Sequence, residues 1–174
     1  MRNHSSKTAA RVCLLLGTAS LLFGAALGRA EPVSHQESWG LGLMLGSPLG
    51  INAKHWLGGA NAFDLAVGGG PGLRFHGDYE WGIAQVLKNK SDLTLDLYLG
   101  VGGVVGFGSG LCGYYPDRFC SSNVYGGARV PFGLDFQLAR APVNFGFELA
   151  PGILFGNDGV GALFDAFLFV RYLF

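Results

Sequence analysis

Four ionisable residues stand at a spacing of two in one short stretch: Arg74, His76, Asp78 and Glu80. A histidine among carboxylates is the kind of set that moves protons or holds a metal ion. A spacing of two, however, belongs to a β-strand, whose side chains alternate between faces. The alternating positions of the other face hold Leu73, Phe75, Tyr79, Trp81 and Ile83, which are apolar. All four charges are therefore expected on one face of one strand, pointing where partners and water are scarce. Lys54 and Asp64 fall on facing positions of a second hairpin, where a cross-strand ion pair is expected. His55 has neither a serine nor a carboxylate beside it on its own face. No nucleophile motif, phosphate loop or zinc-ligand spacing occurs elsewhere. These residues predict no catalysis, no metal and no cofactor.

The elements that must position them follow from the same alternation. Eight segments read as strands: 39–46, 50–57, 62–69, 72–84, 92–106, 123–138, 142–155 and 161–174. Between them lie Ser47-Pro48, Gly58-Gly59, Gly68-Gly69-Gly70-Pro71, Asn89-Lys90-Ser91-Asp92, Ala141-Pro142 and Asn157-Asp158-Gly159, all turn formers. One connection is long, from about 107 to 122. The strand charges Lys54, Asp64, Arg74, Asp78, Glu80, Asp96, Arg129, Asp135, Glu148, Asp165 and Arg171 share one face, together with His76. The other face of all eight strands carries no charge, and His55 is its most polar member.

Two closed sheets fit this pattern. A soluble lipid carrier of the lipocalin kind would turn the apolar face inward. Its outer coat would then be poor in Lys and Glu and rich in Gly. A membrane barrel turns the charged face inward, where an eight-stranded lumen is only wide enough to be filled by side chains. Mixed charges can pair there, and Gly and Ala make room for them. The expected fold is an all-β, eight-stranded, antiparallel, up-and-down transmembrane β-barrel, with the charges forming one interior network.

Composition supports export. Arg2, Lys7 and Arg11 precede an apolar run without charge, and Gly28-Arg29-Ala30 offers small residues around a cleavage point. Residues 1–30 are expected to be a cleaved signal peptide, and 31–174 a single barrel domain. The apolar run is shorter than the ~20 residues of a spanning helix. All 12 acidic residues but only eight of the 12 basic ones fall in 31–174, which excludes a nucleic-acid binder by charge. Thirty glycines in 174 residues, against a usual ~7%, suit a sheet whose lumen must be packed tightly. Cys13 would leave with the signal. Cys112 and Cys120 remain as an even pair in an oxidising compartment, and a disulfide between them would contribute ~2–3 kcal/mol. Inside that pair Tyr114, Tyr115, Arg118 and Phe119 could make a recognition tip for a surface partner, or a cap over the barrel mouth.

The last strand carries a family resemblance. Phe164, Ala166, Leu168, Val170, Tyr172 and Phe174 form one apolar face that ends on an aromatic residue. This resembles the C-terminal strand of bacterial outer-membrane barrels, in which the terminal Phe is part of the signal read during assembly. With the signal, strand count and charged plug, 31–174 is similar to the small eight-stranded barrels of the outer membrane protein A membrane-domain and adhesin-like type. Gly42-Leu43-Met44-Leu45-Gly46-Ser47-Pro48-Leu49-Gly50, then Lys54, Trp56 and Asn61-Ala62-Phe63-Asp64, also resembles a family of uncharacterised small bacterial barrels.

The resemblance implies residence in the outer membrane of a Gram-negative bacterium. It also implies contact with outer-membrane lipid, and passage through periplasmic chaperones and the barrel assembly machinery, with Tyr172 and Phe174 as assembly signal. It implies both termini on the periplasmic side and the 107–122 connection outside. Trp39, Tyr79, Trp81, Tyr172 and Phe174 would form the aromatic belt near the periplasmic end. The expected role is structural or surface-interacting. A narrow ion channel, a lipid A-modifying barrel enzyme and a lipocalin-like carrier are the alternatives.

Overall fold

In a computed structural model the chain is described over residues 35–36, 38–69, 72–87, 93–108, 124–156 and 159–174. The expected signal at 1–30 lies outside these residues, and so do Cys112, Cys120, Tyr114, Tyr115, Arg118 and Phe119.

Nine strands form one antiparallel sheet: β1 (Ser38–Ser47), β2 (Leu49–Trp56), β3 (Asn61–Gly69), β4 (Leu73–Leu87), β5 (Leu93–Phe107), β6 (Val124–Arg129), β7 (Phe132–Leu138), β8 (Val143–Gly156) and β9 (Gly159–Leu173). Each strand pairs with its sequence neighbour as a meander does, save that β6 and β7 follow one another along the same flank. The sheet closes on itself because β1 also pairs with β9, from Gly40↔Leu173 to Ser47↔Ala166. Closure leaves no long unpaired edge.

Nine strands are found where eight were expected. The difference lies in 123–138, which breaks at Val130-Pro131 into β6 and β7. Pro131 has no N–H to give the ladder. Both halves still pair with the same two neighbours, β5 on one side and β8 on the other. The break is bridged by hydrogen bonds from Gly100 N to Pro131 O (2.7 Å) and from Val130 N to Pro151 O (2.9 Å). Burial keeps alternating through it, with Arg129 and Pro131 inward and Val130 and Phe132 outward. β6 and β7 thus share one place in a ring of eight places. β4 also runs three residues past the expected 84, through register shifts around Gly82/Ala84 and Gln85/Leu87 that turn both Ala84 and Gln85 inward.

Both described termini lie at one end of the ring, where Trp39 and Phe174 exchange backbone hydrogen bonds of 3.1 and 2.9 Å. The connections 57–60, 88–92 and 139–142 join strands at that end. The connections at Pro48, 70–72, 108–123 and 157–158 join them at the other. Gly58 and Gly59 have φ of 84° and 67°, and the turn between β2 and β3 needs that left-handed backbone.

The hydrophobic pattern is inverted relative to a water-soluble domain. Leu41, Leu43, Leu45, Ile51, Leu65, Phe164, Leu168 and Val170 are exposed on the outer face, Leu168 at 56%. The inner face buries Arg129 and Asp165 completely and Arg171 to 1%. Large inward side chains sit opposite inward glycines. A Cβ on Gly106 would lie 2.0 Å from the Tyr125 ring, one on Gly146 2.4 Å from the Phe169 ring, and one on Gly42 2.7 Å from the Arg171 stem. Here glycine sets the room for the filler rather than the backbone angle.

Candidate functional site in the ring interior

Every charged strand residue singled out by alternation points into the ring and is buried: Lys54, Asp64, Arg74, Asp78, Glu80, Asp96, Arg129, Asp135, Glu148, Asp165 and Arg171, with His76. Seven are carboxylates and four are cations. They form two connected clusters and one outlying group.

The first cluster is centred on Arg129 of β6. Its guanidinium contacts Asp165 of β9 at 2.9 Å, Asp78 of β4 at 3.1 Å and Glu148 of β8. Arg74 of β4 reaches Asp165 from the opposite wall at 2.7 Å. Tyr98 of β5 donates its hydroxyl to Glu148 at 2.8 Å. One planar guanidinium suits this role because its donors radiate in a fixed fork toward several carboxylates at once.

The second cluster holds Lys54 and Arg171. Lys54 Nζ lies 2.7 Å from Glu80 and 3.0 Å from Asp135, with the rings of Tyr98 and Trp56 at 4.3 and 5.1 Å from the ammonium. Arg171 bonds Asp64 at 2.5 Å and Asn144 at 3.1 Å, and stacks over Phe169 at 3.8 Å. Asn52 donates to the same Asp64 oxygen at 3.1 Å. The expected register of Lys54 opposite Asp64 is observed. The expected ion pair is corrected. Lys54 extends across the lumen to Asp135, and Asp64 takes Arg171 and Asn52. A lysine stem is long enough to choose a partner on another wall, which pairing along one ladder does not consider.

The outlying group is Asp96 of β5, held by Gln85 at 2.8 Å and His35 at 3.0 Å.

Arg74, His76, Asp78 and Glu80 do not act as one chemical set. They share a face, yet Arg74 serves Asp165, Asp78 serves Arg129 and Glu80 serves Lys54. The His76 ring stacks near Phe167 at 6.1 Å, and its buried Nδ1 has no hydrogen-bond partner among the described residues. Among those residues no group of three His, Cys, Asp or Glu comes together in a metal-holding arrangement. His55 is stacked on Trp39 at 4.1 Å, with Nδ1 3.2 Å from Ser38 O. This places it in an aromatic patch.

That patch continues through Phe63, Tyr79 and Trp81, with ring centroids 4.9 and 5.0 Å apart. It lies on the outer face at the end where the termini meet, near exposed Tyr172 and Phe174.

Among the described residues, the inward side chains fill most of the ring. A cavity of about 20 Å³ lies among Lys54, Glu80, Asp96, Tyr98 and Asp135, room for about one water molecule. The arrangement can hold opposite walls together and fill the lumen.

Several participants fall outside the charged set. Asn52, Asn144 and Tyr98 sit on inward positions, so alternation placed them, but uncharged residues carried no signal of pairing. Gln85 lay beyond the expected end of β4. His35 lay before the first expected strand and had no pattern to place it. Comparison of the chain with protein-family models, with curated proteins and with solved structures finds no match.

Proposed function

We propose that the chain is a small integral barrel of a Gram-negative outer membrane, with a structural or surface-interacting role and a lumen plugged by charged side chains. The observation that carries this reading is the distribution of polarity around a closed sheet. The outer face is almost wholly apolar and exposed, while eleven charges lie buried within. In water such a surface would be an extreme apolar patch. In lipid it is the expected coat, since a charged Arg or Lys at the midplane would cost ~2–4 kcal/mol there. The aromatic arc from Trp39 to Trp81 suits an interface with headgroups.

The packed interior favours a plug over a lipid carrier, whose cavity would be large and apolar. It also disfavours a wide pore. A surface-interacting role would rest with the 108–123 connection, which leaves the ring at the end away from the termini.

The test is heat-modifiability of the carbonate-washed outer-membrane fraction. The unboiled protein is expected to migrate differently from the boiled one on an SDS gel. Recovery in the soluble periplasmic fraction with no shift would overturn the reading.

A further inference from the structure

At one end of the ring, a residue that belongs to none of the nine strands reaches the interior. His35 precedes β1 and makes a single antiparallel bridge to Gly59 in the β2–β3 turn. His35 N donates to Gly59 O at 2.8 Å, and Gly59 N to His35 O at 3.0 Å. The bridge carries the chain over the rim, and the imidazole turns inward. Its ring lies 5.9 Å from that of Trp56, and Nε2 is 3.0 Å from Asp96. Trp56 is 4% exposed, so this contact lies inside the mouth. Directly beneath is the small cavity bounded by Lys54, Glu80, Asp96 and Asp135.

Two features make this contact easy to release. β1 is held to β2 by seven paired positions, whereas His35 is held by one. The bridge supplies two backbone hydrogen bonds, where β1 has a continuous ladder. The chamber behind it is bounded by three carboxylates, Glu80, Asp96 and Asp135, against one ammonium, Lys54, a balance that favours small cations over anions.

We propose that His35 and its bridge form a latch over the terminal-side mouth of the interior, and that releasing it admits small monovalent cations, but not anions, to the chamber beside Trp56. This is independent of the membrane reading, because it concerns the inside of the ring in any surrounding medium.

The test uses Trp56 as the reporter. Trp39 and Trp81, both outward, are changed to Phe in the chain refolded in detergent micelles, and fluorescence quenching is measured with caesium and with iodide. Little quenching by either ion is expected with His35 present. His35→Ala is expected to raise caesium quenching several-fold and leave iodide quenching unchanged. His35→Gln, whose amide can still donate to Asp96, is expected to restore the low value. Equal caesium quenching in the parent and in His35→Ala overturns the latch. An equal rise for both ions overturns the charge selection. If His35→Ala lacks the far-UV β signature of the parent, Asp96→Ala removes the same contact from the other side and is read in the same way. A gel without a heat shift would count against the membrane reading alone, and the quenching would still decide the latch.

Discussion

Lys54 of β2 and Asp135 of β7 meet at 3.0 Å across the full width of the ring, 81 residues apart in sequence. Their strands occupy opposite places in the closed sheet. Arg74 of β4 and Asp165 of β9 make a second such diameter at 2.7 Å, between walls that are again four places apart. Two crossed struts therefore tie walls that share no backbone hydrogen bond. The ladder fixes neighbours, and the struts fix the cross-section.

Removing one end of a strut leaves the other buried and uncompensated. Lys54→Ala strands Glu80 as well as Asp135, so a loss of about 3–5 kcal/mol is expected. Urea unfolding of the refolded protein measures it, and an unchanged midpoint would show that the strut does not hold the ring. A triple variant, Lys54→Met with Glu80→Gln and Asp135→Leu, should recover part of the loss, because neither carboxylate that faced Lys54 is then left charged and unpaired.

Inward and outward glycines should respond differently to the same methyl group. A Cβ on Gly102 would fall 1.8 Å from Asp78 Oδ1 and 2.4 Å from the Gly77 carbonyl oxygen, whereas one on Gly103 meets nothing nearer than 3.6 Å. Gly102→Ala is expected to destabilise by about 1–3 kcal/mol through overpacking. Gly103→Ala should be close to neutral. The two unfolding midpoints, measured side by side, check the assignment of faces; the reverse order would refute it.

A charge placed on the outer face separates membrane from water. Leu65 is 58% exposed at the middle of β3. In a bilayer Leu65→Arg should cost ~2–4 kcal/mol. For a ring standing in water the same change would be nearly neutral and would improve solubility. Folding titrations in lipid vesicles give the answer.

The end of β9 tests the assembly signal that the family resemblance implies. Phe174 exchanges backbone hydrogen bonds with Trp39, and its side chain is 71% exposed. Phe174→Ala keeps those bonds, so little change in unfolding midpoint is expected. The fraction reaching the heat-modifiable form in cells should fall. Normal assembly in a pulse-chase would remove Phe174 from that role.

Much of this fold is legible in the residues. Period two assigned each strand's faces before any contact was known, and it turned the right charges inward. It missed the division at Val130-Pro131, because the alternation of faces continues unbroken through a residue that cannot donate to the ladder. It missed the extension of β4, because a register shift puts Ala84 and Gln85 inward in succession.

Alternation along the chain determined which side chains share the interior, since a pleated strand offers each residue only two directions. Which of them touch was decided by closure. Lys54 has Asp64 opposite it on the next strand, yet its partner is on the far wall. His35 belongs to no alternating run, yet it closes one mouth. The pairing of β1 with β9 brings distant walls within reach of a lysine or arginine stem, and that distance is a property of the ring as a whole, which no local pattern encodes.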